Sequence, residues 1–239
     1  MTLRHTVIEN AIPIEVCEYI KNFFETRIDL HVVKSNNPNV IKINQPWHHL
    51  KEILDPVFSK YFTTNNGNGG NIYKHTNVYT THVDSFETHQ MINAMIPIYA
   101  PQSDEQQHFV VFDQWVENGF GQTWYWDRDD ITAHGDFDYN KKLAQTPYND
   151  PRVYDKTEDD ISHDFYRNYL DANCHKPEYF KGLTGAAYPF VPGHLILFNS
   201  NQLHTTGKLT SDWKIGLHIN FDGSLEELIN AWHFNMYYT

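Results

Sequence analysis

Tyr79-Thr80-Thr81-His82-Val83-Asp84-Ser85-Phe86 is the stretch whose reading decides the fold. It carries β-branched and aromatic residues and neither Gly nor Pro, so it reads as a β-strand. Side chains alternate faces along a strand, which puts His82 and Asp84 on the same face. An imidazole and a carboxylate so placed are two members of a 2-His-1-carboxylate set, which holds Fe(II) and leaves coordination positions open. The third member has to come from a distant strand. Pro192-Gly193-His194-Leu195-Ile196-Leu197-Phe198-Asn199-Ser200-Asn201-Gln202-Leu203-His204 supplies it: a buried-looking strand that runs out into His204. His194 is a rival, but it stands at the strand's start and ranks behind.

In these residues the chain resembles the Fe(II)/2-oxoglutarate-dependent oxygenases. His82-x-Asp84 with a far-downstream His204 matches their metal motif. The Gly-x-Leu-x-x-Phe approach at Gly193, Leu195 and Phe198 is similar to that of the phytanoyl-CoA and prolyl-hydroxylase-like members. The resemblance covers about residues 72–222. It implies a mainly β fold with flanking helices and a double-stranded β-helix (jelly-roll, cupin-like) core. It also implies Fe(II) held by His82, Asp84 and His204, with 2-oxoglutarate as cosubstrate. A basic residue roughly ten positions after the distal histidine takes the cosubstrate's far carboxylate in that family, and Lys214 stands ten after His204. A buried anion calls for a fixed cation. No arginine follows Arg167, and Lys208 lies beside Gly207 in a predicted turn, so Lys214 is the candidate. The bland alternative is an exposed strand-end lysine. Tyr99 and Thr206 are candidate hydroxyl donors to the same ligand. The implied reaction hydroxylates a C–H bond, consumes dioxygen and releases succinate and CO2. Iron halogenases of the superfamily carry a small residue where Asp84 stands, so Asp84 points to hydroxylation or a related oxidation.

The 239 residues fit a single domain, and six Trp, 15 Tyr and 15 Phe can fill a sizeable core. A formal charge of −12 argues against nucleic acid and anionic membrane as partners. Two cysteines, Cys17 and Cys174, make no disulfide framework and point to a cytoplasmic setting. No apolar run marks a signal peptide or a membrane span. The 15 histidines weaken any argument from one alone; His89, His108, His134, His163, His175, His218 and His233 read as surface or packing residues.

Residues 1–62 read as helical support, with amphipathic helices over 13–27 and 46–62 and a strand over Ile28–Lys34. Trp47-His48-His49 fits helix packing better than a ligand site. The jelly-roll core is expected over 72–116 and 191–222, with strands at 72–84, 90–99 and 107–116. Ile92, Ala94, Ile96 and Ile98 are expected inside the sandwich, with Asn93 and Tyr99 toward the mouth and Pro97 marking an edge or strand end. Residues 117–190 form an insertion: either a substrate lid, with Trp124, Trp126 and Arg128 as contacts, or a surface excursion with its own small core. Residues 224–239 read as a last helix capped by Ser224.

The expected substrate is a small or amino-acid-like molecule; oligomeric state stays open. Two other readings stand beside this one. A cupin-like binding protein keeps the jelly roll without turnover and has no need of a buried Lys214. An isomerase or hydrolase keeps the metal and does not depend on 2-oxoglutarate.

Overall fold

Residues 91–99 form the strand from which both faces of the larger sheet can be read. The computed structural model describes residues 5–34, 37–60, 70–78, 81–84, 91–116, 124–125, 153–158, 161–172, 175 and 177–222. In chain order the elements are β1 (His5–Ile8), α1 (Ile14–Thr26), β2 (Val32–Lys34), β3 (Asn37–Asn44), α2 (Trp47–Phe58), β4 (Asn71–His75), β5 (His82–Val83) and β6 (Met91–Tyr99). Then follow β7 (His108–Val116), β8 (Trp124–Tyr125), β9 (Val153–Tyr154), α3 (His163–Tyr169), β10 (Gly185–Pro189), β11 (Leu195–Asn199), β12 (Gln202–Thr205) and β13 (Lys214–Asp222).

The strands make two antiparallel sheets. One has the order β1-β11-β6-β13-β4-β3-β2 and the other β10-β7-β12-β5-β8, with β9 beside β7. Taken along the chain, β4, β6, β11 and β13 lie in the first sheet and β5, β7, β10 and β12 in the second. That alternation, with the chain passing repeatedly from sheet to sheet, is a double-stranded β-helix, the jelly roll.

Apolar alternation sorts the faces. Ile92, Ala94, Ile96 and Ile98 of β6 and Ile215, Leu217, Ile219 and Phe221 of β13 join one cluster with Ile20 and Phe24 of α1 and Leu50 and Leu54 of α2. The helices therefore cover the outer face of the larger sheet. Met95 turns the other way and packs with Phe109, Val111, Ile196 and Phe198 between the sheets. This corrects the expected facing of β6: its isoleucines lie under the helices, and the opposite set lines the interior. Val83, Val110, Phe112 and Leu203 belong to a third cluster on the far side of the smaller sheet. His82 and His204, each one residue from a member of that cluster, consequently point inward.

Several boundaries differ from expectation. The two N-terminal helices are present, but β1 and β3 also extend the larger sheet, so the segment is not purely helical. The strand expected over Ile28–Lys34 is confined to β2, because Ile28–Leu30 form a 3-10 turn. The single strand expected over 72–84 is two, β4 and β5, which lie in different sheets. Within the expected insertion, β10 is a core strand paired with β7 along its whole length. Pro97 lies in an interior strand, not at an edge. It is tolerated at a β-bulge, where the β6–β13 register shifts between Ile215 and Gly216. The helix expected over 224–239 falls outside the described residues.

Candidate metal centre

β5 is only two residues long, yet it sits between β12 and β8, with His82 opposite His204 on one side and Tyr125 on the other. Directly opposed residues on antiparallel strands bring their side chains together. The two imidazole centroids are accordingly 4.2 Å apart, tilted by 53°. Asp84, just past the strand end, keeps the inward face. Its Oδ1 lies 3.7 Å from His82 Nε2 and its Oδ2 3.4 Å from His204 Nε2. One donor atom from each of the three residues falls within 4.8 Å of the others. Neighbouring ligands of an octahedral ion, each about 2.1 Å from it, stand roughly 3 Å apart. The three residues thus fit one face of a divalent ion's coordination sphere after a small closing movement. Both histidines are buried.

Surrounding groups fix the orientation of these side chains. His204 Nδ1 lies 2.9 Å from the Gln202 carbonyl, an acceptor only, so Nδ1 carries the proton and Nε2 keeps its lone pair for a metal. Gln202 is itself held, donating to the Phe112 carbonyl and accepting from the Asn199 amide. Asn93 Nδ2 donates to Asp84 Oδ2 at 2.6 Å. Phe198 and Phe109 stand 4.6 Å and 5.8 Å from the His204 ring and give it an apolar wall. Outer partners of this kind typically account for about 10–100-fold in metal affinity. Asn93→Ala is accordingly expected to weaken Fe(II) binding by that factor in an anaerobic titration, with the fold retained.

Lys214 begins β13 and is 1% exposed. Its Nζ donates to the carbonyls of Thr206 at 2.6 Å and His108 at 3.3 Å, and stands 4.7 Å from the centre of the Phe190 ring. No carboxylate among the described residues pairs with it. Burial pulls its ammonium down to about 7. A buried cation so placed is a ready partner for an anion. Thr206 is buried two residues beyond His204, and its carbonyl is what meets Lys214.

The other expected contacts do not all converge. Tyr99 packs on the helix side, with Trp213 5.2 Å away and Lys21 Nζ over its ring. Trp124 lies on β8, its backbone paired with Val83. Trp126 and Arg128 fall outside the described residues. His194 receives the Asn10 amide at 3.5 Å and is not part of the donor cluster. His175 is a packing residue: burial lowers it to about 4, and it bonds Thr205 Oγ1 at 3.1 Å.

One histidine lies nearer the site than its sequence reading implied. His218, expected to serve surface or packing, is buried with Nε2 3.5 Å from Asp84 Oδ2. Burial lowers its pKa, while Asp84 opposes that shift. The signal was there in the alternation of β13. Ile215, Leu217, Ile219 and Phe221 are apolar, so Lys214, Gly216, His218 and Asn220 share the inward face.

No family model matches the chain, and no curated protein does. Solved structures do resemble it. One is a prolyl-4-hydroxylase from Pseudomonas putida, 8% identical, covering 92% of this chain and 94% of its own, at a TM-score of 0.49. A second is HygX from Streptomyces hygroscopicus with nickel and 2-oxoglutarate bound, 15% identical, covering 94% and 84%, at 0.48. A third is EctD from S. alaskensis, 10% identical, covering 92% and 73%, at 0.46. At these identities and scores none of them carries the functional reading, which rests on the residues of the site.

Proposed function

We propose that the chain is an Fe(II)- and 2-oxoglutarate-dependent oxygenase that hydroxylates a C–H bond of a small-molecule or amino-acid-like substrate. The observation that supports this most is the pairing of two features in one interior. A His-Asp-His donor cluster stands at one place, and Lys214, a buried lysine of β13 lacking a carboxylate partner among the described residues, rests its Nζ on the carbonyl of Thr206, two residues past His204. Two residues of strand span about 6.6 Å. The end carbons of a five-carbon dicarboxylate, joined by four bonds of about 1.5 Å, lie about 5 Å apart. A hydrolase or isomerase built on the same donor set has no use for that cation.

When bound, Fe(II) supplies the activation of dioxygen that an organic side chain cannot. The residues supply the rest. His82 and His204 would offer imidazole nitrogens, and Asp84 would offset part of the metal's charge. Gln202 and Asn93 hold two of those ligands in orientation. Lys214 takes the far carboxylate of 2-oxoglutarate, Thr206 lends its carbonyl to Lys214, and Phe109 and Phe198 keep the site dry. Dioxygen and the substrate are the remaining partners, and Trp124, Trp126 and Arg128 are assigned to the substrate. Among the described residues no helix is long and apolar enough to cross a membrane, and the two-cysteine content suits a cytoplasmic setting.

The test is slow turnover without substrate. Protein supplied with Fe(II), 2-oxoglutarate and air is expected to release succinate, detected by mass spectrometry and absent when iron is withheld. Metal binding without any succinate would instead favour a binding protein or a metal-dependent hydrolase.

A further inference from the structure

On the side of the donor cluster away from Lys214, one row of residues crosses the inward face of the larger sheet. His5 of β1 stands opposite Phe198 of β11, Phe198 opposite Asn93 of β6, and Asn93 opposite Asn220 of β13. Directly opposed residues share a face, and neighbouring strands lie about 4.8 Å apart, so the row crosses about 14 Å of sheet. The row one step nearer Lys214 pairs Met95 with His218, which stands at Asp84. Phe198 lies 4.6 Å from the His204 ring, so the row adjoins the donor cluster.

Both ends of the row offer acceptors. Asn93 turns its Nδ2 to Asp84, and a carboxylate only accepts, so its Oδ1 must look elsewhere. Asn93 is 0% exposed and Asn220 6%, and the Oδ1 of each meets no donor among the described residues. A buried carbonyl without a donor costs free energy that a ligand's N–H or O–H recovers. At the other end Asp113 reaches across from β7. Its Oδ1 lies 2.9 Å from His5 Nε2, and His5 Nδ1 lies 2.6 Å from the Tyr188 hydroxyl. With Tyr188 donating to Nδ1, it is Nε2 that carries a proton to Asp113. Thr184 Oγ1 donates to Asp113 Oδ2 at 2.6 Å. Donors thus hold both oxygens in place, each oxygen can accept a second bond, and the side chain is 45% exposed and so reachable.

We propose that this row seats the substrate and selects an aliphatic amine. Its ammonium group pairs with Asp113, a second N–H or O–H meets Asn93 and Asn220, and the carbon chain between them lies along Phe198. This rests on the oxygenase reading above and gives its substrate a chemical class. The anionic end repels carboxylates, so amine and 2-oxo acid are sorted by charge to opposite ends of the interior.

The probes are 1,5-diaminopentane and 1,5-pentanediol, equal in length and different in charge. Each is titrated into protein holding Fe(II) and 2-oxoglutarate without oxygen, and binding is read by saturation-transfer NMR. The parent is expected to bind the diamine about tenfold more tightly, as for a hydrogen bond to a charged group. Asp113→Asn keeps the shape and should cut that preference about fivefold, the size of a partly exposed ion pair, with the diol unchanged. Asp164→Asn removes the same charge from an exposed helix and should leave the preference intact. Asn220→Leu should weaken both probes about fivefold, one ordinary hydrogen bond, without lowering the melting temperature, because its unpartnered carbonyl gives nothing to lose. The proposal is overturned if the parent binds neither probe or both alike, or if Asp113→Asn keeps the preference. An equal loss in Asp164→Asn overturns it too, since the chain's net charge of −12 would then be the whole cause. A lowered melting temperature with unchanged probe binding in Asn220→Leu would make Asn220 structural and strike it from the seat. Failure of a parent protein to take up 2-oxoglutarate at all, followed by its charge-transfer band, sinks the oxygenase reading instead, a separate and distinguishable result.

Discussion

Asp84→Ala is expected to abolish tight Fe(II) binding and to cut succinate formation by more than the roughly hundredfold that marks loss of an outer partner. Asp84 is the one charged member of the donor cluster. Its two oxygens face His82, His204 and His218, and Asn93 donates to it at 2.6 Å. Truncation therefore removes a metal ligand and unties Asn93 at once. Asp84→Asn separates those effects. It keeps the shape and an acceptor for Asn93 and discards the charge. Metal affinity measured across parent, Asn and Ala variants should fall in that order, with His82→Ala and His204→Ala grouping with Asp84→Ala. Unchanged succinate release in any of the three Ala variants would remove the metal centre from the mechanism. Circular dichroism should stay native throughout, because the jelly roll's apolar clusters are built from other residues.

The second large effect is a pH dependence set by Lys214. Its pKa in the folded chain is about 7, pulled down by burial from an ordinary 10.5. Anion capture needs the charged ammonium. Affinity for 2-oxoglutarate should therefore be level below about pH 7 and fall by up to tenfold per pH unit above it, until the pKa of the bound state is reached. Stability without ligand runs the opposite way. Between about 7 and 10.5 the unfolded chain binds more protons at this site than the folded one, so this lysine's contribution improves as pH rises through that window. Lys214→Arg should flatten the affinity profile, since a guanidinium stays charged throughout. Lys214→Met should lose both affinity and slope. Anaerobic titrations between about pH 6 and pH 9 decide the matter. A parent profile identical to that of Lys214→Met would mean that Lys214 never meets the ligand.

Much of this was legible in the chain, and the gaps have physical causes. His82, Asp84 and His204 stood out because alternation along a strand and a distant buried strand are both local patterns. The two helices and β6, β7, β11 and β13 followed from apolar periodicity. β1 and β3 did not, because a strand that completes a sheet through long-range pairing carries little signal of its own. β10, Gly185-Ala186-Ala187-Tyr188-Pro189, is too small and mixed in side chains to announce itself, yet it pairs with β7 residue for residue. Pro97 misled because the rule excluding proline from central strands gives way at a bulge. Tyr99 was placed beside Asn93 by strict alternation, and the bulge between them turns it to the helix side. His218 did not stand out among 15 histidines, although alternation along β13 puts it on the same face as Lys214.

The most direct measurement is optical. Apo protein is titrated with Fe(II) and then with 2-oxoglutarate, without oxygen, while the visible spectrum is followed. A weak metal-to-ligand charge-transfer band is predicted on the second addition, saturating at one equivalent and absent from His204→Ala and Asp84→Ala. Fe(II) binding with no band at any 2-oxoglutarate concentration would contradict the oxygenase assignment and leave a metal-binding jelly roll of another chemistry.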